Sequence, residues 1–447
     1  MNSNKKYIGS LYFTNRFYTL LVIITALFIC RFFLLWMGDI PFLALGVFFV
    51  FVIMEYGMLF FKQEGVFARR FTPERLSNGD ENNIRIDIEN NYSFPVNIQL
   101  IDEVPAQFQK RDTDFNLSLT KNEQQVIQYY LHPVKRGEYE FGFLNVYVSS
   151  VLQLIKRRYK FEQPVSIPVY PSFLQMRKYQ LMAISNRLSE IGVKRIRRIG
   201  HSMEFEQIKE YVQGDDIRTV NWKATARKSQ LMVNNFTDEK SQQVYCVIDK
   251  GRVMKMPFEG LSLLDYAINA SLVLLNVALY KQDKAGLITF GEKLSSFLKA
   301  DKKAMQMNSI LEVLYNQRTR YLESDFEKLF ALLRTKVTQR SLIILFTNFE
   351  SMGGMQRQLP YLRKIASNHL LLVVFFENTE LKQLIDKPAE DIETIYTKTI
   401  AEKFAYEKKL IVKELQKYGI LSILTAPENI TVNTVNKYLE LKARQAI

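Results

Sequence analysis

Cysteine and histidine are scarce in this chain of 447 residues. Two cysteines, Cys30 and Cys246, leave no disulfide framework. The three histidines, His132, His201 and His369, lie far apart, and none has the spacing of a zinc ligand set. No recognised nucleic-acid motif occurs, so the formal net charge of +14 points toward other acidic partners or anionic lipid. Charged residues make up 24% and apolar residues 47%, which leaves no large disordered part and is enough for two or three folded domains.

What is present at the N-terminus is apolar length. Residues 17–36 and 40–61 form two such runs, separated by Met37, Gly38 and Asp39. Each is long enough as a helix to cross about 30 Å of hydrocarbon. The short connection predicts an antiparallel hairpin. A small-residue cleavage site, which a signal peptide requires, does not follow the first run; Arg31-Phe32-Phe33 stands there instead. Lys5, Lys6 and Arg16 precede the hairpin, and Lys62, Arg69 and Arg70 follow it. The positive-inside rule then places both ends, and the large domains after them, in the cytoplasm. Arg31 and Glu55 are expected to snorkel near opposite interfaces. A third apolar run, residues 261–280, contains Asp265, Asn269 and Asn276 and reads as a buried helix of a soluble domain.

Residues 64–170 alternate apolar and polar positions over short runs punctuated by Asn, Gly, Pro and Asp. Ile84, Ile86 and Ile88 share one face, as do Val126, Gln128 and Tyr130, because the side-chain period of a strand is two. About seven short strands suggest an immunoglobulin-like β-sandwich. Residues 171–239 read as a connecting segment. Residues 240–447 alternate short apolar strands with helices, which predicts an α/β, mostly parallel, doubly wound sheet. Ligands of such sheets lie beyond the carboxyl ends of strands, so Asp249 and Asn348, each at a strand end, are the first candidate positions.

The connecting segment carries Glu204-Phe205 followed by "EYVQGDDIRTVNWKATARKSQLMV". Glu210, Tyr211, Gly214, Asp215, Asp216, Arg218, Asn221, Trp222, Lys223, Ala226 and Arg227 resemble the signature of the bacterial domain-of-unknown-function 58 family; Lys209 stands where that family usually has arginine. The resemblance extends to two membrane helices, a β-rich segment with "KRGEYEFG", a "VYP" strand and a C-terminal von Willebrand factor A-like domain. It implies a multi-pass protein of the bacterial inner membrane. The implied partners are a MoxR-type AAA+ ATPase and other von Willebrand A-type membrane proteins, in an adaptor role in envelope maintenance or complex assembly. No enzymatic reaction or cofactor is implied.

Von Willebrand A domains often bind Mg²⁺ through Asp-x-Ser-x-Ser and later loop residues. Here Asp249 is kept, Gly251 and Val253 replace both serines, and Asn348 stands where an aspartate is expected. Lys250 and Arg252 add positive charge. No metal is expected at these positions.

The motif itself admits three readings. As structure, Asp215 and Asp216 precede a helix "RTVNWKATARK", Arg218, Trp222 and Ala226 share one face of it, and Trp222 anchors it on a sheet. As a docking surface, Glu204, Phe205, Tyr211, Gly214, Asp215, Asp216, Arg218, Asn221, Trp222, Lys223 and Arg227 recognise a partner. As an enzyme, Asp215, Asp216 and Asp249 centre a metal-assisted hydrolase. Two basic runs, Lys194–Arg198 and Lys156–Arg158, read as solvated faces or as contacts to anionic lipid.

Overall fold

The two apolar runs fold as helices α1 (Asn15–Phe33) and α2 (Ile40–Phe60). They are part of a computed structural model that describes residues 10–34, 38–110, 112–162, 164–184, 203–213, 215, 217–238, 241–317, 319–386, 388 and 391–444. Both helices are long and apolar enough to cross a membrane, and most of their side chains face outward. Thr14 starts α1 by accepting from the Phe17 N–H at 3.3 Å. Pro41 sits in the first turn of α2, where its missing N–H costs nothing. Near the connection Arg31 pairs with Asp39 at 3.3 Å and lies over the Phe42 ring.

The C-terminal end of α2 differs from the expectation. Glu55 does not snorkel; it is fully buried. Its carboxylate accepts from Ser150 Oγ at 2.5 Å and from the backbone N–H groups of Leu154 at 3.0 Å and Ile155 at 3.2 Å. The last turns of α2 are therefore docked into folded protein, although they continue the apolar run. Length and hydropathy cannot mark where a span ends and a core begins.

Eleven strands among the described residues belong to the same unit: β1 (Leu11–Phe13), β2 (Val66–Phe71), β3 (Leu76–Ser77), β4 (Asn82–Asn90), β5 (Val96–Asp102), β6 (Asp114–Leu119), β7 (Gln124–Leu131), β8 (Gly137–Phe141), β9 (Leu144–Ser149), β10 (Ile155–Phe161) and β11 (Val165–Tyr170). They form sheets ordered β1-β10-β9-β5-β6, β2-β4-β7 and β3-β11-β8. One apolar core draws on all three and includes Leu59 and Phe60 of α2. Ile84, Ile86 and Ile88 share the buried face of β4 as expected. Val126, Gln128 and Tyr130 also share a face, but it is the exposed one, with Ile127, Tyr129 and Leu131 inside. Arg157 is not a solvated charge. It is buried at the C-terminus of α2, donates to the carbonyls of Leu59, Lys62 and Gln63, and lies over the rings of Phe60 and Tyr159. Its cation thus meets the negative end of the helix dipole and three carbonyl acceptors, of which that of Leu59 also accepts from the Tyr92 hydroxyl.

Contacts divide the chain after Tyr170. In the second unit, α3 (Phe173–Ile184) leads to a two-stranded hairpin, β12 (Met203–Glu210) and β13 (Met232–Asp238), which encloses the short helix α4 (Trp222–Lys228). The remainder contains β14 (Gln243–Asp249), a small hairpin of β15 (Pro257–Phe258) and β16 (Leu261–Ser262), and α5 (Leu263–Tyr280). After these come β17 (Lys284–Phe290), β18 (Leu294–Asp301), α6 (Gln306–Tyr315), α7 (Phe326–Lys336), β19 (Leu342–Phe346) and α8 (Met352–Asn368). The chain ends with β20 (Leu370–Phe376), α9 (Thr379–Asp386), α10 (Ile392–Lys417), β21 (Leu421–Thr425) and α11 (Ile430–Ala443).

Six of these strands make a sheet ordered β18-β17-β14-β19-β20-β21, parallel except for β18. Val244, Cys246 and Ile248 face one core with α3, α5, α6 and α11; Tyr245 and Val247 face another with α7, α8 and α10. Burial on both faces explains why these strands are continuously apolar. Helix α5, the third candidate span, lies mostly buried in the first of these cores and begins with a Ser262–Asp265 capping box.

Candidate functional site

The chain order reverses between β17 and β19, on either side of β14. The crevice beyond the carboxyl ends of β14 and β19 is where such sheets take ligands. Asp249 lies there, almost fully buried. Its Oδ1 accepts from Ser324 Oγ and from the Gly251 N–H at 2.7 Å, and its Oδ2 accepts from Thr347 Oγ1 at 2.7 Å. Burial pushes the Asp249 carboxyl above the usual range, opposed by those three donors. A small cavity beside it is lined by Arg252, Val253, Glu350 and Arg357 among others.

The expected positions thus come together, but with different tasks. A Cβ added at Gly251 would lie 2.2 Å from Ser324 Oγ, so the Ser324 hydroxyl occupies the space that a residue-251 side chain would need. Val253 contributes a carbonyl that accepts from Asn348 Nδ2 at 3.3 Å. Asn348 Oδ1 accepts from Lys408 Nζ at 2.5 Å. Lys250 turns its amine to Gln317 Oε1 at 3.0 Å. This donor set does not fit a divalent cation: Asp249 has both oxygens engaged, Gly251 has no side-chain ligand, and the Asn348 oxygen already accepts from Lys408 Nζ. Among the described residues no cluster of three His, Cys, Asp or Glu side chains is grouped as a metal site. Millimolar Mg²⁺ is expected to leave the melting temperature of the detergent-purified protein unchanged, because a ligand stabilises only what it binds. A magnesium-dependent rise, reversed by a chelator, would overturn this assignment.

The motif folds differently from its helical reading. Glu204 and Phe205 lie on β12, paired with Thr237 and Phe236 of β13. The Tyr211 N–H bonds the Leu231 carbonyl at 2.8 Å, which continues the hairpin. Asp215 sits in the following turn, not at a helix start. It pairs with Lys209 at 2.9 Å and accepts from the Val212 N–H at 3.0 Å. Those bonds hold its carboxyl below the usual range, the lysine contributing most. Gly214 and Asp216 lie outside the described residues, as does the basic run Lys194–Arg198. Arg218 belongs to a 3-10 turn, Ile217–Thr219, so it shares no helical face with Trp222.

Helix α4 begins at Trp222. Asn221 caps it, accepting from the Ala224 N–H at 3.1 Å while its amide reaches Asn234 Oδ1 at 2.9 Å. The motif asparagine is therefore a cap, and asparagine is among the best residues for that position. Trp222 is not an anchor: it is 73% exposed, and in the same segment Val212 is 62% and Ile217 70% exposed. Lys223 and Arg227 are exposed as well. Asp215 belongs to this hairpin and Asp249 to the end of the six-stranded sheet, each with its own hydrogen-bond partners.

Sequence reasoning missed Ser324, Thr347 and Lys408. Thr347 had a signal, since it adjoins Asn348 at a strand end. Ser324 lies in a loop and Lys408 in a helix rich in Lys and Glu, and neither carries a local mark.

The description "Protein of unknown function DUF58" matches residues 207–406, a little under half of the chain. A curated relative, the uncharacterized protein YeaD of Bacillus subtilis (strain 168), is 27% identical over 197 residues, covering 41% of this chain and 47% of that protein. The chain thus spans about half the length of the relative it matches. Both findings support the DUF58 family for this segment. Among solved structures, a CARDB domain from Pyrococcus furiosus aligns over 23% of this chain and 86% of its own, at 11% identity and a TM-score of 0.17. A segment of alpha-2-macroglobulin from Escherichia coli aligns over 24% and 16%, at 14% identity and a TM-score of 0.20. Likenesses this weak carry no argument.

Proposed function

We propose that this chain is a DUF58-family membrane protein that works as a noncatalytic adaptor, docking a partner through the hairpin of β12 and β13 with α4. One observation carries the reading: the motif tryptophan, Trp222, is exposed, as are the apolar Val212 and Ile217 and the basic Arg218, Lys223, Arg227 and Lys228 of the same segment. Exposed tryptophans with arginine neighbours are the side chains that dominate binding energy at protein interfaces. The two spanning-length helices support anchoring in a membrane. The sheet order, with β18 antiparallel, supports a von Willebrand factor A-like domain, and the three sheets around one core support an immunoglobulin-like one. Their ranges, 240–447 and 64–170, are those of the sequence reading. The partner that follows from the motif is a MoxR-type AAA+ ATPase, approached from the cytoplasmic side of the bacterial inner membrane.

The hydrolase reading, centred on Asp215, Asp216 and Asp249, gains no support. The two described carboxylates are each held by neighbouring donors, and among the described residues no group of His, Cys, Asp and Glu that could hold a metal is found. Titrating the purified ATPase against the full-length protein in detergent tests the adaptor reading. Trp222→Ala is expected to weaken binding about 30-fold, the loss of one central hot-spot residue. Its melting temperature should not change, because the side chain packs on little. Unchanged affinity, or a variant that fails to fold, would remove the docking surface.

A further inference from the structure

A second cavity, of about 610 Å³, opens beyond the carboxyl ends of β19 and β20. Phe258, Leu263, Phe376, Leu381, Ile385 and Phe404 give it apolar walls, and Lys408, Glu350 and Glu377 are among its polar positions. Its volume and mostly apolar lining are those of small-molecule sites, and its place in the sheet is where such sites occur.

Lys408 is the distinctive group. Its Nζ donates to Asn348 Oδ1 at 2.5 Å and to the Phe376 carbonyl at 3.0 Å. Those two bonds use every hydrogen of a neutral amine and leave its lone pair. Burial lowers the pKa of Lys408 to about 8, although Glu350 and Glu377 both act to raise it. The neutral, nucleophilic form is therefore a minor but far larger fraction near neutrality than for an ordinary lysine. The same two glutamates disfavour an anionic ligand by like-charge repulsion, while an uncharged carbonyl meets no such barrier.

We propose that this cavity binds small apolar aldehydes or ketones, and that Lys408 captures the carbonyl carbon as an imine. The Nζ lone pair forms the new C–N bond. The carbonyl oxygen leaves as water, carrying the two hydrogens that Nζ gives up, so no oxidant or reductant enters the step. The apolar walls hold the remainder of the ligand. Lys409, on the same helix, also borders the cavity and provides an internal comparison.

The test uses the full-length protein in detergent, hexanal as the probe and cyanoborohydride to trap the imine, with labelled lysines mapped by peptide mass. Alkylation is expected to concentrate at Lys408, ahead of Lys409, and to saturate with hexanal concentration. Its rate should rise with pH to a midpoint near 8. Ala405→Phe or Leu381→Trp, which fill the cavity and leave Lys408 in place, should lower Lys408 labelling at least about tenfold. Labelling spread evenly over surface lysines would overturn the site. So would labelling that rises without saturation, or that neither cavity-filling variant reduces in folded protein. Trp222→Ala should leave labelling unchanged, so this site and the docking surface stand or fall separately.

Discussion

Asp249→Ala is expected to destabilise the protein by about 3 kcal/mol, while Asp249→Asn costs little. Alanine removes the acceptor of two hydroxyls and one backbone N–H in a buried place. Each donor left unsatisfied costs about 1–3 kcal/mol. Asparagine keeps the shape. Its oxygen can still accept from Gly251 and Ser324, and its amide can donate to Thr347 once that hydroxyl rotates. The pH dependence follows from the raised pKa of Asp249. The folded state holds this proton more tightly than the unfolded chain does. Its stabilising contribution is therefore complete below the ordinary aspartate range and is lost as pH rises through the raised value. Asp249→Asn should flatten that decline. Melting temperatures of both proteins across this range provide the check, and parallel curves would refute the assignment.

Glu55→Ala should cost a similar amount, about 3 kcal/mol, and should loosen the junction between the hairpin and the strands. Three donors lose their acceptor: Ser150 Oγ and the N–H groups of Leu154 and Ile155. Arg157→Ala should act in the same direction, because three carbonyls at the end of α2 lose a charged donor. Glu55→Gln should fall between wild type and alanine, since it offers one acceptor oxygen where the carboxylate offers two. Limited proteolysis after α2, followed with the melting temperature, reads both effects. A carboxylate that merely reached the headgroups would give Glu55→Ala no such phenotype.

Apolar length made the hairpin legible, and periodicity the β-rich segment and the strand–helix alternation, because burial leaves its spacing in the chain. Asp249 and Asn348 were singled out as candidates because strand ends in parallel sheets are privileged places. Trp222 was misread because aromatic content suggests burial, whereas exposure depends on what packs above it. Asn221 was placed inside a helix that in fact begins one residue later, with Asn221 as its cap.

Composition, element order and the family motif are written locally, residue beside residue, and could be read without coordinates. The partners of Asp249, Glu55 and Lys408 could not. Ser324 is 75 residues from Asp249 and Thr347 is 98, Ile155 is 100 from Glu55, and Asn348 is 60 from Lys408. A hydrogen bond needs its atoms within about 3 Å, and only the path of the folded chain brings residues so distant in sequence that close. That path gives one carboxylate a neighbourhood with no room for a metal, sinks another from the membrane edge into a core, and sets a lysine amine at the rim of an apolar cavity.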